Sequence, residues 1–264
     1  MLEAKNITKR FGGLVALNNV TLTVRKGELL GLIGPNGSGK TTMFNVITGY
    51  YRPEGGRVYY NGQDITGLRP HKIVKMGIAR TFQIPKPFGR LTVVENVMSA
   101  AMYGREEVPS RGEAKEIAME WLEYVRLKDK VNVEAKSLNI VERKLMELAR
   151  AFSTDPRLLL LDELVAGLNP SEMMEVVELV RRLVDEKGIT TVMVEHVMKA
   201  VMTISDRVFV LHRGTKLAEG KPEEIARDPK VVEAYILETG RIALHGEAKK
   251  LLGMEEVKKA YLGI

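Results

Sequence analysis

The chain has 264 residues, which is enough for one large domain, or one domain with a smaller lobe, around a sizeable buried core. Its 40 Lys and Arg residues exceed its 34 Asp and Glu residues, giving a net charge of +6, and 45% of its residues are hydrophobic. This composition is typical of a globular protein and excludes fibrous and disordered classes. The positive excess is compatible with an anionic partner and identifies none.

The sequence contains no cysteine and four histidines. Disulfides, thiolate metal sites and cysteine nucleophiles are therefore excluded, and few ligands remain for a histidine metal site. The N-terminal residues MLEAKNITKRFGG alternate polar and apolar types, unlike the continuous apolar core of a signal peptide. No stretch approaches the roughly 18 apolar residues that a membrane span needs. We therefore expect a soluble protein that is not exported.

Short apolar segments separated by turn residues predict strands in the first portion of the chain, up to about residue 83. The predicted strands are residues 2–7, 20–24, 29–33 and 57–60, the last turned by Asn61 and Gly62. From residue 92 to about residue 151 the apolar residues follow helical spacing instead. This change predicts a helical subdomain inserted in a sheet-rich domain.

Short, continuous apolar runs reappear after the helical stretch, at residues 158–161, 190–194 and 208–211, with a predicted helix at about 171–186 between the first two. Such alternation is typical of a parallel sheet covered by helices on both faces. The predicted fold class is α/β, with a parallel-sheet core, an N-terminal antiparallel β subdomain and the inserted helical subdomain.

The end of the chain contains an internal repeat, because residues 209–235 match residues 235–261 without gaps. Matching pairs include Gly214 with Gly240, Gly220 with Gly246, and Tyr235 with Tyr261. Two hairpin-plus-helix segments can also share glycines through turn chemistry alone. Duplication is the better explanation, and it divides the chain into a domain at 1–235 and an extension at 236–264.

A glycine-rich loop follows the predicted strand 29–33 and precedes a helical pattern that ends at Gly49, which is the context of a phosphate-binding P-loop. Glycines let backbone N–H groups curl around phosphate, the lysine reaches the β and γ phosphates, and the first threonine can bind Mg²⁺. The candidate nucleotide-binding residues are Gly34, Pro35, Asn36, Gly37, Ser38, Gly39, Lys40, Thr41 and Thr42.

Two carboxylates, Asp162 and Glu163, follow the apolar run 158–161. Ligands bind at the carboxyl ends of the strands in open α/β sheets, so both carboxylates are placed for chemistry. Asp162 is the candidate that orients the metal, and Glu163 is then available as general base for the attacking water. A charged pair at the end of a strand is a weak signal alone, and the P-loop makes it strong.

The order of P-loop, Gln83, helical stretch, Asp162-Glu163 and His196 resembles the ATP-binding subunits of ABC transporters over essentially the whole chain. The stretches KRFGGLVAL (residues 9–17), GIARTFQ (77–83), LARA (148–151) and AGLNP (166–170) resemble more narrowly the ATPases of branched-chain amino-acid importers. The resemblance implies a P-loop NTPase fold with ATP and Mg²⁺ as cofactors. It also implies a location at the cytoplasmic face of the cell membrane, as a peripheral subunit.

The resemblance assigns roles to three further residues. Phe11 stacks on adenine, Gln83 reaches Mg²⁺ and the attacking water, and His196 contacts the γ phosphate. From the residues alone, Phe11 in a Gly-Gly turn is either an exposed stacking platform or a ring beneath the loop. His196 is expected to open a helix at the same edge of the sheet as Glu163.

The sequence departs from the family where the signature Leu-Ser-Gly-Gly-Gln is expected, because residues 138–142 read Leu-Asn-Ile-Val-Glu. In the family, the signature of one subunit closes over nucleotide held by the other, and its glycines allow close approach to phosphate. The side chains of Ile140 and Val141 would obstruct that approach, and Glu142 adds negative charge. Leu164 replaces the family's usual proline, which we expect to alter loop stiffness without loss of chemistry.

These departures predict an asymmetric pair, in which a different ATP-binding chain with an intact signature closes the site of this one. The other expected partners are integral membrane permease subunits and, indirectly, an extracytoplasmic solute-binding protein. The expected permease contact is residues 84–90, with Phe88 as anchor; a connecting loop with Phe88 folded inward is the alternative.

Two other functions stay open at this stage. An ABC ATPase of nucleic-acid repair or translation is supported only by the net charge of +6. The short helical stretch has no long heptad pattern and aromatic residues are 6% of the chain, so no nucleic-acid partner is expected. A weakly hydrolysing regulatory subunit would explain the altered signature, but Glu163 argues against it.

Overall fold

The structure is a computed structural model that describes residues 1–238, with side chains described to Tyr235. Within these residues the strands are β1 (Leu2–Phe11), β2 (Leu14–Val24), β3 (Leu29–Ile33), β4 (Gly55–Tyr60), β5 (Gln63–Asp64), β6 (Ile78–Arg80), β7 (Leu158–Asp162), β8 (Thr190–Val194), β9 (Arg207–His212) and β10 (Thr215–Gly220). The helices are α1 (Lys40–Ile47), α2 (Pro70–Lys75), α3 (Val93–Gly104), α4 (Arg111–Tyr124), α5 (Ile140–Ser153), α6 (Pro170–Lys187), α7 (Met198–Ile204), α8 (Pro222–Arg227) and α9 (Pro229–Glu238).

Two sheets form the framework. A four-stranded antiparallel sheet has the order β2-β1-β4-β5, and a six-stranded sheet has the order β10-β9-β3-β8-β7-β6. In the second sheet, β9, β3, β8, β7 and β6 run parallel, and β10 is antiparallel to β9. The predicted α/β class, with a parallel core and an antiparallel N-terminal sheet, is confirmed.

The central parallel strands are apolar throughout because both of their faces are covered. Every residue of β3, β7 and β8 is buried. On one face, α1 and the antiparallel sheet pack through Met43 and Phe44. On the other face, helices α3 to α6 form a core that includes Phe152. This sandwich leaves the loops at the carboxyl ends of the strands as the place where side chains can meet a ligand.

The N-terminal hairpin is longer than the sequence predicts. The first expected strand, at 2–7, extends to Phe11, and the second, expected at 20–24, already begins at Leu14. Phe11 and Leu14 pair across the turn at Gly12 and Gly13. A two-residue turn lets antiparallel pairing continue up to the turn, so the polar residues beside it belong to the strands. The pairing is irregular, because its register shifts between Ala4 and Arg10. Helix α2, at Pro70–Lys75, was not predicted from the sequence.

Helices α3, α4 and α5 occupy the stretch where helical spacing is predicted. The boundaries of a separate subdomain at about 92–151, and of the domain at 1–235, stay predictions. Most of the second copy of the proposed C-terminal repeat lies outside the described residues, as does most of the extension at 236–264. The repeat therefore also stays a prediction.

Candidate active site

The P-loop connects β3 directly to α1. Gly34 and Gly39 both have positive φ, +150° and +107°, and Gly39 precedes the first residue of the helix. A Cβ at Gly34 would lie 2.0 Å from the carbonyl oxygen of Leu211, and one at Gly39 would lie 2.6 Å from that of Ala16. Only glycine satisfies both conditions at these positions, so the loop is held tightly against its neighbours.

Lys40 is buried at the start of α1, and its ammonium group points back into the loop. Nζ donates hydrogen bonds to the carbonyl oxygens of Gly34 at 2.6 Å and Pro35 at 2.9 Å, and lies 3.5 Å from Ser38 Oγ. A positive charge at the N-terminus of a helix favours an anion there, as the helix dipole does. The charge of Lys40 and the N-terminus of α1 therefore both favour phosphate binding at this loop.

A cavity of about 450 Å³ lies in front of the loop. Phe11 at its rim is 42% exposed and packs edge-to-face on Tyr51, with ring centroids 5.1 Å apart. The ring is therefore available as a stacking surface and is not tucked beneath the loop. The cavity is lined by Phe11, Leu14, Val15, Ala16, Asn36, Gly37, Ser38, Gly39, Lys40, Thr41, Thr42, Glu163, His196 and Arg213.

The side chain of Glu163 contacts the side chains of two other predicted site residues, His196 and Gln83. Its Oε1 lies 2.6 Å from Nε2 of His196, and its Oε2 accepts a hydrogen bond of 2.5 Å from Nε2 of Gln83. Its backbone N–H donates to the carbonyl oxygen of Val194, the last residue of the neighbouring strand β8. The carboxyl ends of parallel strands β7 and β8 thus bring Glu163 and His196 together as the sequence predicts. His196 does not open a helix, however, because α7 begins at Met198.

Asp162 ends β7 and faces a different partner. Its Oδ2 accepts a hydrogen bond of 2.6 Å from Arg80, and the same guanidinium donates to Asn45 Oδ1 of α1 at 2.6 Å. Arg80 and Asp162 are both buried, so the charges compensate each other away from water. Arg80 lies in the stretch GIARTFQ but was not predicted as a site residue, since an arginine at the end of a strand does not by itself indicate a buried partner.

The three candidate magnesium ligands offer oxygen donors: the hydroxyl of Thr41, the amide of Gln83 and the carboxylate of Asp162. Hard cations such as Mg²⁺ bind oxygen, and in nucleotide sites one or two protein groups act together with phosphate oxygens. In the described part of the chain, no group of three His, Asp or Glu side chains could hold a metal. This donor set therefore fits an ion held jointly with a bound phosphate.

Buried charged residues behind the site were also missed. Lys144 donates to the carbonyl oxygens of Leu164 at 2.7 Å and Ala166 at 2.6 Å. Glu147 accepts a hydrogen bond of 2.7 Å from the N–H of Phe82, and Glu195 accepts one of 2.8 Å from the N–H of Val165. Burial raises the pKa of both glutamates to about 7.

The altered signature, residues 138–142, forms the beginning of α5. Asn139 caps the helix, its Oδ1 accepting from the N–H of Glu142, whose carboxylate accepts in return from the N–H of Asn139. Ile140 is 54% exposed at the first turn. This end of α5 therefore presents a branched apolar side chain and a carboxylate already engaged in capping.

The fold and the P-loop cavity define a nucleotide-binding cassette, and comparisons with known proteins agree. The model of the ABC transporter family matches residues 17–166, and that of the branched-chain amino acid ATP-binding cassette transporter matches residues 215–236. The high-affinity branched-chain amino acid transport ATP-binding protein BraF of Pseudomonas aeruginosa is 42% identical, over 89% of this chain and 97% of BraF. LivG of Escherichia coli, with the same description, is 41% identical over the same shares.

Solved structures show the same architecture. The ADP conformation of the ATP-binding cassette MJ1267 superposes with a TM-score of 0.83 at 36% identity, covering 90% of this chain and 99% of that one. A nucleotide-free cassette from an ABC transporter has a TM-score of 0.82 at 36% identity, covering 89% and 98%. The chain belongs to the ABC transporter family, as an ATP-binding cassette that hydrolyses ATP to drive transport. This result favours transport over the repair, translation and regulatory alternatives. No helix in residues 1–238 is long and apolar enough to cross a membrane.

Proposed function

We propose that the chain energises an importer of branched-chain amino acids or related small solutes, with Glu163 as the general base of ATP hydrolysis. The observation that carries the role of Glu163 is its 2.6 Å contact with His196 at the rim of the P-loop cavity. A carboxylate held by a histidine and an amide beside a phosphate site is suited to accept a proton from water. The solute class is supported by the two named relatives and by the family match at 215–236.

Each residue of the site has a distinct part in the proposed mechanism. Lys40 neutralises charge on the β and γ phosphates, and Phe11 stacks on the adenine. Glu163 receives the proton of the attacking water, while Gln83 and His196 orient that water and the γ phosphate. Mg²⁺, when bound through Thr41, Gln83 and Asp162, supplies charge neutralisation at the phosphates.

The proposed partner for transport is an integral membrane permease, contacted at residues 84–90. Ile84 is 71% exposed and Phe88 53% exposed, although both are large apolar residues. The guanidinium of Arg150 lies over the Phe88 ring, 5.4 Å from its centroid. Two prolines keep the segment extended. Docking here would place the chain at the cytoplasmic face of the membrane as a peripheral subunit, with a solute-binding protein acting on the opposite side.

The second ATP-binding subunit is proposed to be a different chain with an intact signature. A pair of cassettes has two nucleotide sites, each formed by the P-loop of one subunit and the signature of the other. This chain contributes a complete P-loop, Glu163 and His196 to one site. To the other site it contributes residues 138–142, which carry branched side chains and a carboxylate in place of glycines. The second site should therefore hydrolyse ATP poorly, and the pair should be asymmetric.

Uptake by the reconstituted transporter tests the proposed solute. The cassette is assembled with its permease, second subunit and solute-binding protein in liposomes loaded with ATP, and uptake of radiolabelled leucine, isoleucine and valine is compared with that of lysine. We expect saturable uptake of the branched-chain amino acids that a Lys40→Ala cassette abolishes. Uptake of lysine alone, or uptake unaffected by Lys40→Ala, would contradict the proposal.

A further inference from the structure

Three charged side chains follow one another at three-residue spacing along α5: Lys144, Glu147 and Arg150. Residues three apart in a helix share a face. Lys144 is only 3% exposed and Glu147 only 6%. Charges are rarely buried this deeply unless they are paired with partners that need them. Each of the three reaches a different part of the main chain beside the active site.

Lys144 holds the segment that follows strand β7. Besides its bonds to Leu164 and Ala166, its ammonium group donates to the carbonyl oxygen of Glu163 at 3.3 Å. Glu163 has a φ of +50°, a backbone conformation that is unfavourable for a residue with a side chain. A cation bound to several successive carbonyl oxygens fixes this strained segment in place, and with it the direction of the Glu163 side chain.

Glu195 holds the same segment from its other side. Its carboxylate accepts the N–H of Val165 at 2.8 Å, and it is 1% exposed. The residue directly after Glu195 is His196, the partner of Glu163. The loop of Glu163 and the loop of His196 are thereby tied to each other through the main chain as well as through the 2.6 Å side-chain contact.

Glu147 holds the loop of Gln83. Its Oε1 accepts a hydrogen bond of 2.7 Å from the N–H of Phe82, the residue before Gln83. Gln83 in turn donates to Glu163 at 2.5 Å. One turn of α5 therefore contacts the main chain beside both Glu163 and Gln83, the two groups proposed to surround the attacking water.

Arg150 continues the row toward the exposed segment 84–90. Its guanidinium donates to the carbonyl oxygen of Lys86 at 3.2 Å and lies over the ring of Phe88. One face of α5 thus runs from the Glu163 segment, past the Gln83 loop, to the segment proposed as the permease contact.

We propose that Lys144 and Glu147 are positioning residues for hydrolysis: Lys144 fixes the main chain of Glu163, Glu147 fixes that of Gln83, and α5 sets both groups in register at the γ phosphate. Apolar side chains could fill this space without the cost of desolvating charges. The presence of Lys144 and Glu147 at these buried positions is explained by their hydrogen bonds to main-chain carbonyl and amide groups. This inference depends on the proposed role of Glu163 as general base.

Steady-state kinetics of the assembled transporter test the inference. Lys144→Met and Glu147→Leu remove the two holding groups, while Glu147→Gln keeps an oxygen that accepts the Phe82 N–H. Lys115→Met and Glu116→Leu, at exposed positions of α4, are matched controls. We expect kcat to fall about 100-fold in Lys144→Met and Glu147→Leu, as a small misplacement of reacting groups can cause, with KM for ATP within about threefold of wild type. Glu147→Gln and both controls should retain wild-type kcat.

Amide hydrogen exchange of the full chain gives a readout independent of activity. The amides of Phe82 and Val165 should be protected in the wild type. Exchange of the Phe82 amide should accelerate at least about tenfold in Glu147→Leu, and exchange of the Val165 amide should accelerate by the same factor in Lys144→Met. Both amides should exchange at the wild-type rate in the control variants. Unprotected amides in the wild type would overturn the inference even if Lys144→Met fails to fold.

Steady-state kinetics can also overturn the inference that Lys144 and Glu147 are positioning residues. Wild-type kcat in a folded Glu147→Leu chain, or an equal loss in Glu147→Leu and Glu147→Gln, would contradict positioning by Glu147. The Glu163→Gln variant separates this failure from failure of the proposed function. If Glu163→Gln stops turnover while both disruptive variants keep it, only the positioning inference is wrong; if Glu163→Gln is fully active, the proposed general base is wrong.

Discussion

The carboxylate of Glu163 and the imidazole of His196 lie 2.6 Å apart, although 33 positions separate them in the chain. Adjacent parallel strands, β7 and β8, end at the same level and bring them together. The P-loop cavity is lined by both residues, so the phosphate site and the proposed base form one site. The proposed hydrolysis mechanism depends on that shared edge of the sheet.

The Glu163→Gln variant should bind ATP and fail to turn it over. Glutamine preserves the size of the side chain and one oxygen, but it cannot accept a proton at neutral pH. Loss of a general base lowers kcat by at least about 100-fold. Phosphate release from the assembled transporter, alongside nucleotide binding to the same preparation, measures both properties. Turnover above half of the wild-type rate would remove Glu163 as the base.

Replacement of Lys40 by alanine should weaken ATP binding. The change removes the ammonium group that the P-loop holds near the phosphates, and a hydrogen bond to a charged group contributes about 1.5–3 kcal/mol. We therefore expect an affinity lower by about 10- to 100-fold in isothermal titration calorimetry. Lys115→Ala, at an exposed position on α4, is the control. Equal affinities for the two variants would contradict the role of Lys40.

Much of this site follows from local sequence. The P-loop combines glycines, a lysine and a strand-to-helix transition within a dozen residues, and Asp162-Glu163 follows an uninterrupted apolar run. These features act through backbone conformation and burial, which short segments largely determine.

Other parts of the site depend on packing between distant segments. Lys144 and Glu147 look like ordinary charged positions of an amphipathic helix, and only the packed structure reveals that they face main-chain groups of other loops. His196 illustrates the same limit. Its neighbour Glu195 turns inward to the Val165 N–H. The chain bends at His196, and α7 starts only at Met198.

Glycines at positions 140 and 141 should increase ATP-dependent pairing of this chain with itself. The combined change Ile140→Gly and Val141→Gly removes two branched side chains, while the capping residues Asn139 and Glu142 are kept. Light scattering in a Glu163→Gln background, with Mg²⁺ and ATP, measures the dimer fraction. The matched Ile140→Ala and Val141→Ala chain separates lost bulk from gained backbone access. No increase in dimer with glycine would contradict obstruction as the cause.

Stability should depend on pH through Glu195. Its folded-state pKa of about 7 lies above its ordinary value of 4.5, so the folded protein binds a proton that the unfolded chain lacks between these values. The free energy of unfolding therefore falls as pH rises from about 4.5 to about 7, by about 3 kcal/mol for this group. Glu147 contributes in the same direction.

Glu195→Gln removes this titration and keeps an acceptor for Val165. Urea unfolding at pH 5 and pH 8 should show a smaller loss of stability in Glu195→Gln than in the wild type. Glu116→Gln, at an exposed position, should match the wild type at both pH values. An identical pH dependence in Glu195→Gln and wild type would contradict the raised pKa of Glu195.

Light scattering of the Glu163→Gln chain with saturating Mg²⁺ and ATP tests most directly whether this cassette supplies one half of an asymmetric pair. Blocked hydrolysis traps any nucleotide-bound sandwich, so an assembled pair persists long enough to be measured. We predict a monomer that binds ATP when the chain is alone, and a one-to-one complex when a cassette with an intact signature is added. A stable homodimer would contradict the asymmetric pair, because residues 138–142 would then be able to close a site.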